Sequence, residues 1–163
     1  MKGLSPSETL TQKNLAKAIL STGLLAGTLD ITCAIIQYLL KTRSNPVKIL
    51  NYIASSIFGK AAYDDGIGMP VLGLILHYCI AIIFTAFFFF IYPNIKWLSK
   101  NIIITGLLYG VFAWLVMNFI VVPLSAIAKF PSSVLNAVIG CLILMFAIGL
   151  PIAMMTCRYY LRK

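Results

Sequence analysis

Four long apolar runs dominate the chain: Ala18–Leu40, interrupted only by Asp30; Met69–Tyr92, without a formal charge; Ile102–Val122; and Ser133–Cys157. A hydrocarbon core about 30 Å thick takes about 20 apolar residues to cross as an α-helix, so each run predicts one membrane-spanning helix. A closed barrel would need alternating segments of about ten residues. Phe87-Phe88-Phe89-Phe90-Ile91 does not alternate. The prolines punctuate the same pattern. Pro46 follows the first run, Pro70 suits the first turn of the second, and Tyr92-Pro93-Asn94 stops it. Pro123 ends or kinks the third helix. Pro131, with Ser132 and Ser133, opens the fourth. Pro151 kinks the fourth near its end, because an interior proline removes a backbone hydrogen bond.

The connection from 41 to 69 is long for a hairpin. Within it, Val47, Ile49, Leu50, Ile53, Ile57 and Phe58 recur at helical spacing, interleaved with Lys48, Asn51, Ser55 and Lys60. This predicts an amphipathic helix over about 46–60 lying in the membrane interface; a re-entrant segment is the alternative. Ala62–Gly68 reads as a turn, and Leu124–Phe130 as a weaker echo of the same arrangement.

Composition sharpens this picture. Hydrophobic residues make up 61% of the 163 and charged residues 10%, against roughly 45–50% and about 25% in soluble domains. A soluble fold of this size could not cover that much apolar surface, and the chain is neither a disordered nor a disulfide-stapled sequence. Thirteen Lys and Arg face only Glu8, Asp30, Asp64 and Asp65, for a net charge of +9. The basic residues flank the apolar runs, which points to the lipid bilayer as partner and to topology. No basic stripe or stacking platform points to nucleic acid. Lys2, Lys13, Lys17, Lys96, Lys100, Arg158, Arg162 and Lys163 fall on one side of the membrane. Lys41, Arg43, Lys48, Lys60 and Lys129 fall on the other. Their balance places both termini in the cytoplasm, with Tyr92, Trp97, Tyr159 and Tyr160 in the inner aromatic belt. The first run is too long, and Asp30 too polar, for a cleaved signal peptide.

A segment recurs. Thr22-Gly23-Leu24-Leu25-Ala26-Gly27 matches Thr105-Gly106-Leu107-Leu108-Tyr109-Gly110, each at the start of a membrane helix. Each helix is followed by a proline-containing loop, a Ser-Ser pair (Ser55-Ser56 and Ser132-Ser133) and another helix. The match reads as an internal duplication or as coincidence between two Leu- and Gly-rich stretches. Gly23 with Gly27, and Gly106 with Gly110, each put two glycines on one helix face, where another backbone comes close. The expectation is that the first and third helices pack on each other, or each on a copy in a second subunit.

Asp30 sits midway along the first helix, where a charge is expensive and faces the interior, a partner or a proton. It reads either as a proton, cation or solute site or as a hydrogen-bonded carboxyl holding helices together. At 1.5 Å per residue, Asp30 lies about 15 Å from the outer end of its helix, His77 about 10 Å and Asn118 about 6 Å. These three, with Gln37, are candidates for one polar patch, in which an Asp30–His77 pair would respond to pH near neutrality. A lone histidine is more often a packing residue. Cys33, Cys79, Cys141 and Cys157 lack Cys-x-x-Cys spacing and read as small apolar residues. One histidine cannot build a haem or metal site, so neither metal nor cofactor is expected. Enzyme templates fail as well. Asp30 has no second carboxylate inside the bilayer, Ser55 or Ser56 with His77 and Asp65 lacks a nucleophile elbow, and there is no nucleotide-binding fingerprint.

The stretch Gly23-Leu24-Leu25-Ala26-Gly27 resembles the opening helix of the uncharacterised YagU-like bacterial inner-membrane proteins, and the four-helix plan is similar. The resemblance implies an inner-membrane location and no mechanism. The expected fold is an all-α, four-transmembrane-helix bundle with an interfacial amphipathic helix in the first loop. The leading functional reading is a small transporter or channel-type protein centred on Asp30. Four helices are few for such a protein alone, so a homo-oligomer or association with other membrane subunits is expected. The competing reading is a non-catalytic structural or accessory subunit of a membrane complex.

Overall fold

Helices grow from the apolar runs and extend past them into polar sequence. The computed structural model describes residues 6–64, 66–126 and 133–161. It holds five main helices: α1 (Pro6–Thr42), α2 (Val47–Phe58), α3 (Gly68–Ile91), α4 (Ile102–Leu124) and α5 (Val134–Leu161). Among the described residues there is no strand, and four spans are long and apolar enough to cross a membrane: Asn14–Thr42, Gly68–Asn94, Ile102–Leu124 and Val134–Leu161. The protein is an all-α membrane bundle. Its outer surface agrees. Ile83 and Phe90 are 66% and 61% exposed while Phe89 of the same helix is fully buried, a division that suits lipid rather than water. Lys2, Asp65, Lys129, Pro131, Ser132, Arg162 and Lys163, and most of the 124–130 connection, lie outside the described residues.

Local chemistry sets the ends. Arg43, with φ 51°, closes α1 in the left-handed region, its N–H bonded to the Leu39 carbonyl at 3.0 Å. Asn45 Oδ1 then accepts the Val47 N–H and starts α2. Asn101 caps α4 by accepting the Ile104 N–H, and Ser133 caps α5 by accepting the Asn136 N–H. In apolar surroundings Thr28 and Thr32 satisfy their hydroxyls on their own helix, at the carbonyls of Leu24 and Thr28.

The glycine pairs act within each hairpin. A Cβ on Gly23 would meet Ile82 at 2.9 Å, and one on Gly27 would meet Tyr78 at 3.0 Å, so the α1 glycines seat α3. A Cβ on Gly106 would meet Leu150 at 3.0 Å, and Gly110 faces the Met145 backbone, so the α4 glycines seat α5. This corrects the expectation that the first and third helices meet through these faces. The repeated motif does the same work twice, binding the first spanning helix of each half to the second. The Ser-Ser pairs do not correspond: Ser55 and Ser56 lie inside α2, whereas Ser133 begins α5.

Contacts between α1 and α5 join the two hairpins, so the packing order is α3, α1, α5, α4. That leaves the backbones of α3 and α4 apart, and aromatic side chains bridge them in the half that holds the chain ends. Phe88 meets Tyr109 with centroids 4.5 Å apart, and the Tyr109 hydroxyl donates to the Phe84 carbonyl at 2.6 Å. Tyr92 stacks on Tyr160 at 5.6 Å, and the Tyr160 hydroxyl donates to the Phe89 carbonyl. Of the four aromatics expected in the inner belt, only Trp97 is widely exposed; Tyr92 is 8% exposed and belongs to the core.

Pro123 stands one residue before the end of α4 at Leu124, as expected of a helix-ending proline, whereas the helix around Pro151 runs on to Leu161. Each follows a π-helical turn, Met117–Val121 in α4 and Met145–Gly149 in α5. The carbonyl that a proline ring crowds belongs to the residue four earlier. Those residues, Phe119 and Ala147, are the centres of the two π turns. Widening the turn makes room for the ring, and in α5 the helix continues.

Candidate functional site

A half-open chamber of about 660 Å³ occupies the bundle half opposite the chain ends, and all five helices line it. On α1 the residues that face it follow a regular stripe. Gly23 and Gly27 pack on α3; then Asp30, Ala34, Gln37 and Lys41 continue the same four-and-three spacing along the chamber wall. Small residues at the start of the stripe bring helices together, and polar ones further along it face open space. From α3 come His77, Ile80, Ala81 and Phe84; from α4, Ala113, Trp114, Met117 and Asn118; from α5, Asn136, Gly140 and Ile143. The four residues singled out for a polar patch, Asp30, Gln37, His77 and Asn118, therefore line one space.

Their partners differ from a simple acid–histidine pair. His77 Nε2 lies 2.8 Å from the Gly27 carbonyl oxygen. A carbonyl only accepts, so Nε2 carries the proton and the ring is latched to α1 one turn before Asp30. The Asp30 carboxyl makes no hydrogen bond to any described residue, and it lines the chamber with His77. His77 thus shares the chamber with Asp30, as the expected polar patch requires, but its ring is held by the Gly27 backbone. Asn118 donates from Nδ2 to the Trp114 carbonyl at 2.9 Å. No described residue donates to its Oδ1, and none hydrogen-bonds the Gln37 amide.

The wall is otherwise apolar and aromatic, with Phe84, Trp114, Tyr38 and Tyr52 among its residues. At the mouth, Lys41 Nζ donates to Asn136 Oδ1 at 2.9 Å, tying the end of α1 to the start of α5. Across the opening lies α2. Its small buried Ala54 and Ser55 let it approach α3 so closely that a Cβ on Gly73 would collide with the Leu50 carbonyl. Its Ser56 carbonyl accepts the Ala126 N–H at 2.9 Å, just beyond α4. The predicted amphipathic helix thus straps α3 to α4 and contributes Ile49, Tyr52 and Ile53 to the chamber. Burial, with a smaller contribution from Tyr63, raises the Tyr52 phenol above its ordinary range. Among the described residues no three His, Cys, Asp or Glu side chains are grouped to hold a metal ion, and Cys33, Cys79, Cys141 and Cys157 are free thiols.

Lys41, Asn136, Trp114 and the aromatic lining were not singled out from sequence. Lys41 was within reach: it lies on the Asp30–Ala34–Gln37 stripe, one step further. Trp114 shares a face with Asn118, four residues on. Asn136 carried no signal, since its partner lies 95 residues away. No protein-family model, no curated protein and no solved structure matches this chain.

Proposed function

We propose that this chain is a small multi-pass transporter whose chamber is its binding site, with Asp30 as the polar centre. One observation carries the reading: Asp30, Gln37, His77 and Asn118, from three different membrane-spanning helices, line one chamber. Ionisable and polar side chains within membrane-spanning helices are costly and mark functional sites. An accessory subunit that only docks through its outer face gains nothing from them. The aromatic layer formed by Phe88, Tyr92, Tyr109 and Tyr160 supports a carrier over an open channel, because it fills the half between the chamber and the chain ends.

The charge asymmetry supports cytoplasmic termini, and the YagU-like resemblance supports a bacterial inner membrane; the chamber then opens to the outside. It binds and moves its solute without catalysis. With so few helices, the working unit is a homo-oligomer or a complex with other membrane subunits. The test is chemical access. Gln37→Cys is placed in a protein whose four native cysteines are replaced by alanine, in sealed vesicles, and treated with a membrane-impermeant maleimide. Labelling from the α2 side alone is expected. Labelling from both sides would make the protein a channel, and labelling from neither would remove the chamber and favour the accessory subunit.

A further inference from the structure

The chamber's shape and charge also define what it can hold, given the reading of it as a binding site. Its volume of about 660 Å³ falls in the about 300–1,000 Å³ range of sites for organic ligands. It would take on the order of 20 water molecules at about 30 Å³ each. A bare inorganic ion needs oxygen ligands converging within a few ångströms. Here Asp30 and Gln37 are two helical turns apart, about 10 Å along α1. Among the described lining residues Asp30 is the one acid, and it sits at depth; Lys41 is the one formal cation, and it sits at the mouth. An anion would be held at Lys41 and meet a carboxyl further in. A single positive charge finds its counter-charge only at Asp30, with Phe84 and Trp114 among the lining aromatics to favour it further.

We infer that the chamber takes a lipophilic organic monocation, its charged group against the Asp30 carboxyl and its apolar body against the aromatic wall. The cation could be free or could belong to an amine-bearing lipid headgroup. The free cation fits better. Asp30 and Lys41 are 11 residues apart on one helix, about 16 Å. A zwitterionic headgroup, whose phosphate adjoins its amine, cannot serve both and would bury its phosphate beside apolar wall.

The experiment uses the full chain carrying Trp97→Phe, which leaves Trp114 on the chamber wall as the only tryptophan. The purified protein, in maltoside detergent, is titrated with tetraphenylphosphonium and with tetraphenylborate, ions of nearly the same size and opposite charge. Saturable change in Trp114 fluorescence is expected for the cation, with affinity at least about tenfold above that for the anion. Asp30→Asn should erase most of that gap. Equal binding of the two ions, or binding of neither while aqueous acrylamide still quenches Trp114, overturns the assignment of the ligand and leaves the chamber reading in place. Failure of acrylamide to reach Trp114 overturns the chamber reading itself. The two ions test the assignment in a protein with Asp30 intact, so it stays falsifiable where Asp30→Asn does not fold. The source is read in nanodiscs. Tetraphenylphosphonium bound equally in phosphatidylglycerol alone and with phosphatidylethanolamine supports the free cation. Competition by phosphatidylethanolamine overturns that choice in favour of the headgroup.

Discussion

Two openings lie along the one seam between α3 and α4, and they are unlike. Near the chain ends is an apolar cleft of about 240 Å³, walled by Phe87, Phe88, Trp97, Leu108 and Phe112, with no charged residue in its lining. At the α2 end is the chamber, nearly three times larger by volume (660 against 240 Å³) and carrying Asp30, His77 and Lys41. The backbones of the two helices are apart along the whole seam, so the difference comes from side chains. Bulky rings fill one half and small or polar groups leave the other open. Under the proposed function, the open half is the one that binds the solute and the aromatic half is its foundation.

The sharpest way to break this contrast is to carve the packed half. Phe88 is 1% exposed and touches Tyr92 and Tyr109. Phe88→Ala is expected to destabilise by about 3–5 kcal/mol, whereas Phe84→Ala, on the chamber wall, should lose less than half of that because its neighbour is already space. Denaturant titration of both variants in the same detergent compares them, and equal losses would dissolve the distinction between the halves.

Next in size is the seat of α5. Alanine is a better helix former than glycine by about 1 kcal/mol, so Gly149→Ala would stabilise an unencumbered helix. Here the added Cβ would run into the Gly106 carbonyl and the Gly110 backbone, which cannot turn aside as a side chain can. A net loss of about 1–3 kcal/mol is expected, read as an earlier midpoint in thermal unfolding. Gly23→Ala meets Ile82 less closely, at 2.9 Å from its Cγ1 and 3.0 Å from its Cα, and should cost less. A smaller effect again is expected at the layer's upper edge. Tyr109→Phe removes the hydroxyl that ties α4 to the Phe84 carbonyl and should lose about 1 kcal/mol in the same measurement.

The contrast was half legible in the sequence. The spanning helices follow from apolar length alone, since lipid leaves the backbone no other solution. Asp30, Gln37, His77 and Asn118 were brought together by arithmetic of depth, which works because straight helices convert residue number into height. Azimuth is not so readable. Which helix the glycine faces meet depends on packing order around the bundle, and a glycine pair says only that some backbone comes close. The α1–α4 contact was therefore misjudged, while the glycine stripe itself was right. The π turns escaped for a related reason. A proline announces a local steric conflict, but whether the helix breaks or widens depends on the packing on either side of it.

The smallest expected effect tests the sign of the chamber's charge gradient. Lys41 is exposed, and its hydrogen bond to Asn136 lies at the rim, so Lys41→Met should change stability by no more than about 0.5 kcal/mol. Its charge still opposes a cation bound at Asp30. Over about 16 Å, with an effective dielectric constant of about 20, that repulsion is about 1 kcal/mol, and salt screening reduces it further. Tetraphenylphosphonium should therefore bind Lys41→Met more tightly than the parent by less than about fivefold, and the gain should shrink as salt is added. Weaker binding of the cation would mean that Lys41 holds the mouth in shape rather than opposing charge there, and would move the polarity of the chamber from its rim to Asp30 alone.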